Sequence, residues 1–258
     1  MTSDPIFCHE RLDAYKLALS FVCRVEELIA SFAFSAAVVD HLDRASESTV
    51  ENIVNGNSSW SDDAKRRYFG IAYGSALECA ACLDICQVKK MVSLEVLQSE
   101  KNKLRRVVQM LVGLIGSQER EVREAVESWG HNRNGITNVF FDHERLDVYR
   151  LALEFVCWVD GVINGQDFSR RRTKTLDILS TSIVLNIAEG NGRIGFQDHR
   201  QFIDIAHRSA LKNAVVIDLM ISKNELDTDT GKIGKRMLSR IVKMALAMRG
   251  YLKTDTPK

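Results

Sequence analysis

The chain repeats itself. His9-Glu10-Arg11-Leu12-Asp13 returns as His143-Glu144-Arg145-Leu146-Asp147, a displacement of 134 positions (His143 against His9). Tyr15, Leu17-Ala18-Leu19 and Phe21-Val22-Cys23 return in step at Tyr149, Leu151-Ala152-Leu153 and Phe155-Val156-Cys157. The same displacement carries Asn52-Ile53 onto Asn186-Ile187, Gly56-Asn57 onto Gly190-Asn191, Ser75-Ala76-Leu77 onto Ser209-Ala210-Leu211, and Leu104 onto Leu238. No insertion is needed, so every loop kept its length although loops ordinarily tolerate change. The fold to be found is therefore that of a half-chain, met twice.

Within each half the apolar period is helical. Leu12, Tyr15, Ala18, Leu19, Val22, Val25 and Ile29 fall three or four apart, and their counterparts from Leu146 to Ile163 repeat the stripe. A second helix is expected from about Ala36 to Val54, closed at Gly56 by a left-handed glycine cap, with Gly190 as its twin. A third opens at Ser61-Asp62-Asp63, where a capping hydroxyl and two acids suit a helix N-terminus, and turns Phe69, Ala72, Ala76, Ala80 and Leu83 to one side. Ser93 caps a fourth. Both prolines, Pro5 and Pro257, lie near the chain ends, so nothing between them obliges a helix to break. The reading is all-α: two tandem up-down-up-down four-helix bundles over 1–118 and 139–258, joined by a partly helical linker, 119–138, that runs into Trp129-Gly130 and Asn134-Gly135.

Composition narrows the function classes. With 45% hydrophobic residues among 258 the chain is neither disordered nor fibrous. Its 35 Lys/Arg and 34 Asp/Glu leave a net charge of +1, so an electrostatic partner must be met by a local patch. Acids at Asp4, Glu10 and Asp13 interrupt any signal peptide, and no run of about 18 apolar residues is present. A cytoplasmic protein without membrane contact is expected, its six cysteines reduced.

The strings His143-Glu144-Arg145-Leu146-Asp147-Val148-Tyr149 and Asn186-Ile187-Ala188-Glu189-Gly190-Asn191-Gly192-Arg193, followed by Phe202 and Ile205-Ala206, resemble a bacterial four-helix-bundle family. It includes the protein encoded by ribosomal-RNA intervening sequences and the accessory variability determinant of diversity-generating retroelements. The resemblance implies small bundles that assemble into homo-oligomeric rings, a basic surface for nucleic acid, a reverse transcriptase partner in the retroelement branch, and no catalysis. The halves depart from it differently: Asn55 and Ser59 stand where the second half has Glu189 and Arg193, and Lys212 stands where the first has Glu78. Rings of five positions also cannot be filled by chains that each supply two bundles.

Charge divides unevenly. Residues 1–134 hold 16 Lys/Arg and 19 Asp/Glu, leaving 19 and 15 of the 35 and 34 to the second half. Arg170, Arg171, Arg172 and Lys174 open its second helix, Arg193 follows that helix, and Arg200, Arg208 and Lys212 lie on its third. These are the candidate nucleic-acid contacts, for RNA or DNA without sequence specificity. Arg200 and His207 lie seven apart, the arrangement a bundle ribonuclease would need. Cys79, Cys82 and Cys86 have metal-like spacing but lack a fourth ligand and are read as core, since Asn213, Val216 and Met220 replace them. The His-Glu pairs are read as structural, and Trp60, Trp129 and Trp158 chiefly as packing. No cofactor or metal is expected. The chain reads as a non-enzymatic adaptor for a larger protein and for nucleic acid; a ribonuclease and a pure scaffold are the alternatives.

Overall fold

The computed structural model describes residues 5–31, 37–116, 140–165, 169–193 and 196–251. The expected linker 119–138, with Trp129, lies outside them. Among the described residues the chain is all-helical. The first half gives α1 (Asp13–Ser31), α2 (Ala37–Ser58), α3 (Asp62–Val88) and α4 (Leu94–Gly116). The second gives α5 (Asp147–Gly165), α6 (Arg170–Asn191), α7 (Phe196–Ser222) and α8 (Thr228–Tyr251). A short 3-10 turn precedes each half, Cys8–Arg11 and Asp142–Arg145. In the first half α1 packs on α2 and α4, and α3 on both α2 and α4; α5 to α8 repeat the pattern.

Local chemistry explains the boundaries. Ser61 Oγ accepts the amide of Ala64 at 3.2 Å, with Asp62 and Asp63 in the first turn of α3, and Ser93 Oγ accepts that of Val96 at 3.2 Å at the start of α4. The glycine caps are a correction: no described glycine has a positive φ, and Gly56 and Gly190 lie inside α2 and α6. Both are small because a phenylalanine crosses there. A Cβ on Gly56 would stand 2.5 Å from the Phe69 ring, and one on Gly190 would stand 2.9 Å from Phe202 Cβ. The left-handed stops occur instead at Lys90 (φ 58°) and Asn224 (φ 55°), equivalent positions after α3 and α7. There the amide of Met91 reaches the Cys86 carbonyl at 2.8 Å, and that of Glu225 reaches Met220 at 2.9 Å, closing Schellman turns.

Repeated polar residues tie helices together. Ser48 and Ser75 share a hydroxyl bond of 2.9 Å between α2 and α3; Ser182 and Ser209 share one of 3.0 Å between α6 and α7. Asn52 and Asn186 donate to the carbonyls of Ser48 and Ser182, one turn back. Much of the repeated motif is thus internal hydrogen bonding.

The halves lie directly on each other. Helix α3 packs on α5 and α6, and α2 also touches α6, so the buried apolar residues form a single continuous cluster. Helix α3 is consequently buried on almost every side, including Leu77, Ala81 and Ile85, which lie off the face expected from spacing. It is long and apolar enough to cross a membrane, yet most of its apolar stretch is interior, as in a core helix. Cys79, Cys82 and Cys86 are fully buried in it, and desolvation pushes the Cys86 thiol up to about 12. Trp158 stacks on Phe155 at 5.6 Å and lies over Gly234, whereas Trp60, expected to pack, is fully exposed.

Candidate nucleic-acid interface

The basic residues expected from sequence fall into three places. Arg170, Arg171 and Lys174 are exposed in the first turns of α6 and form no ion pair among the described residues. That turn holds no acid, and Ser169 makes no side-chain cap. Cations there oppose the positive end of the helix dipole, typically at a cost of about 0.3–1 kcal/mol each. Arg170 and Lys174 face an open cleft of about 720 Å³ between the halves, with Asp40 and His41 of α2 on its other wall. Arg172 is different: its guanidinium forms a fork on the Glu225 carboxylate, which pushes that carboxyl down and leaves the arginine neutralised.

Arg193 belongs to the seam. Its guanidinium pairs with Glu189, lies 4.8 Å from the Phe202 ring centroid and packs against Gly74 of α3, where a Cβ would come within 3.4 Å. Gly192 beside it approaches α3 so closely that a Cβ would stand 2.6 Å from a Leu77 methyl. Burial and the nearby Glu78 push the Glu189 carboxyl up, against the pull of Arg193. This arginine is mostly covered and already partnered.

Arg208 and Lys212 project from exposed positions of α7, among Leu211, Val215 and Leu219, which are 47%, 57% and 46% exposed. Arg200 and His207 are half-exposed on the same helix. The structure therefore brings Arg170, Arg171 and Lys174 together and leaves Arg172, Arg193 and the α7 cations elsewhere.

Sequence reasoning missed a buried ionic cluster at the seam. Lys101 Nζ of α4 donates to Asp84 Oδ1 of α3 at 2.6 Å and lies 2.8 Å from Glu144 Oε1 in the second half's 3-10 turn. The Tyr149 hydroxyl donates to Asp84 Oδ2 at 2.8 Å, and the ammonium lies 5.4 Å from the Phe140 ring centroid. His143 is wholly buried between Phe141 and Tyr149, neither ring nitrogen hydrogen-bonded, and burial with Lys101 nearby holds it down to about 3. Asp84, His143 and Glu144 could reach one cation, but the Lys101 ammonium already supplies that charge to both carboxylates. A second inter-half pair joins Lys89 of α3 to Asp177 of α6. The retained signal was His-Glu itself, whose glutamates accept the amides of Ile6 and Phe140 and so lock both 3-10 turns.

Residues 10–113 match the family model of the 23S rRNA-intervening sequence protein. No curated protein and no solved structure matches the chain significantly. The match to the 23S rRNA-intervening sequence protein covers nearly all of α1 to α4, including Asp84 and Lys101. The cation-rich turn of α6 lies outside it.

Proposed function

We propose that this chain is a cytoplasmic, non-enzymatic accessory protein made of two copies of the four-helix unit of the 23S rRNA-intervening sequence protein family, and that it holds structured nucleic acid through the first turns of α6. The observation that carries the reading is Arg170, Arg171 and Lys174: three exposed cations at a helix N-terminus with no acid and no ion pair among the described residues. A phosphate there meets positive side chains and the helix dipole together, which relieves the repulsion the free protein bears. The half-exposed pair Arg200 and His207 takes no part. The acidic first half is the surface offered to a larger protein, for which a reverse transcriptase of the retroelement branch is the first partner to try.

Anisotropy of labelled structured RNA and duplex DNA across a salt series tests this. Wild type should bind and weaken as salt rises. Replacing Arg170, Arg171 and Lys174 by alanine should reduce affinity and the salt slope by up to about three phosphate contacts. Absence of binding by wild type at low salt would sink the reading.

A further inference from the structure

The buried cluster at the seam has the construction of a metal site. A ring nitrogen of His143 and one oxygen each of Asp84 and Glu144 lie within 4.8 Å of one another, and no other residues form such a group among those described. His143 is wholly buried and neither ring nitrogen has a hydrogen-bond partner, although a buried imidazole ordinarily finds one. Phe141, stacked at 5.8 Å, and Tyr149, edge-on at 4.7 Å, fix the ring. Burial and the nearby Lys101 ammonium keep it neutral, the form that ligates metals.

The two carboxylates are oriented by hydrogen bonds to their outer oxygens. Asp84 Oδ2 accepts the Tyr149 hydroxyl at 2.8 Å, and Glu144 Oε2 accepts the Phe140 amide at 2.9 Å. Such second-layer bonds hold the ligands of metal sites in position. The inner oxygens, Asp84 Oδ1 and Glu144 Oε1, converge on Lys101 Nζ at 2.6 and 2.8 Å. With both acids ionised, the cluster holds two negative charges and one positive, an imbalance made costly by exclusion of water. A divalent ion taken up in exchange for one lysine proton removes it, because two carboxylates, a neutral imidazole and a neutral amine around that ion sum to zero.

We propose that Asp84, His143, Glu144 and Lys101 form a zinc site that joins the two halves, Lys101 releasing one proton to solvent and binding through its amine. The ammonium holds the acids together until zinc replaces that proton. Two nitrogen and two oxygen donors make the closed tetrahedral set of a structural zinc, whereas Mg2+ and Ca2+ take six or more ligands, chiefly oxygen. Tetrahedral bonds of about 2.0–2.2 Å hold donors about 3.4 Å apart, so groups now within 4.8 Å close by at most about 1.4 Å. Asp84 and Lys101 come from the first half, His143 and Glu144 from the second, so neither half completes the site alone. The repeat leaves the equivalent pairs separate: Asp218 and Lys235 keep the 2.6 Å contact without a histidine, and His9-Glu10 joins no such group. Each chain therefore carries one site.

Equilibrium dialysis of the chelator-stripped full chain against zinc chloride, with metal analysis and thermal unfolding on the same samples, tests this. Wild type should take up one Zn2+ per chain and unfold at a higher temperature with it, since the ion binds only the folded seam. His143→Phe keeps a ring beside Phe141 and Tyr149 and should fold, yet bind at least about 100-fold more weakly; Tyr149→Phe, which only orients Asp84, should lose about 10–100-fold. Lys235→Met, at the twin pair, should leave uptake unchanged. Cobalt in place of zinc, in the unaltered chain, should give the visible bands of a four-coordinate ion. Intense near-ultraviolet thiolate bands would instead assign the metal to exposed Cys8, Cys23 or Cys157 and overturn the proposal. So would a wild type that takes up no zinc, or uptake that His143→Phe leaves intact.

Discussion

Asp84 with Lys101 and Asp218 with Lys235 are one ion pair in two environments. The residues, helix positions and 2.6 Å distance are shared. Under the second half the first pair becomes a buried cluster with Glu144 and Tyr149, whereas the second stands in water. Exposed pairs are worth about 0–1 kcal/mol, because water screens the charges and two long side chains lose freedom. Removing one partner of a buried pair costs about 3–5 kcal/mol, because the remaining charge is left uncompensated. The geometry of a pair therefore says little about its importance until its cover is known.

That contrast can be broken by substitution. Lys101→Met should destabilise the chain by about 3–5 kcal/mol in denaturant unfolding, since it leaves Asp84 and Glu144 facing each other without a cation. A loss below about 1 kcal/mol would show that the seam cluster is as wet as its twin. Gly56→Ala and Gly190→Ala test what the halves share. A methyl must displace Phe69 or Phe202 in either case, and both should lose about 1–3 kcal/mol. Markedly unequal losses would mean that the two cores are packed differently.

Acid should open the seam selectively. His143 is held neutral in the folded state down to about 3 but takes up a proton near 6.5 when unfolded, so the unfolded chain binds more protons between those values. Stability thus falls as pH drops below about 6.5, by about 2 kcal/mol at pH 5 on 1.36 kcal/mol per unit. The Glu144 carboxyl, pushed up by burial, acts in the opposite sense lower in the range. His143→Phe should flatten the slope of stability against pH between about 6.5 and 5; an unchanged slope would remove the histidine as its cause. The smallest effect is expected at Lys235→Met, below about 1 kcal/mol for the monomer.

Much of the fold was legible because helix signals are local. Ser61 and Ser93 cap where their spacing indicates, and Ala18 and Val25 of the first stripe face inward, but the buried face of α1 runs through Ala14, Phe21 and Leu28 and leaves Leu19 43% exposed. The glycines misled because a glycine beside an asparagine is equally consistent with a left-handed stop and with a close crossing, and only the phenylalanine on the neighbouring helix distinguishes them. Of the candidate site, Arg170, Arg171 and Lys174 could be read directly, since exposure at a helix start is a local property. The different placements of Arg172 and Arg193 could not, because Glu225 lies 53 residues from the one and Gly74 lies on another helix, in the other half, from the other.

The sequence by itself determined that there are two like units, that each is helical, and where several of its helices begin. Tertiary structure decided which copy of each shared residue is buried. Leu77 and Leu211, Lys101 and Lys235, and Tyr149 and Tyr15 have the same chemistry at the same register, so no periodicity separates them. Their burial, and for the charged ones their energy, depends on which surface has excluded water from them, and that is a property of the neighbour across the seam.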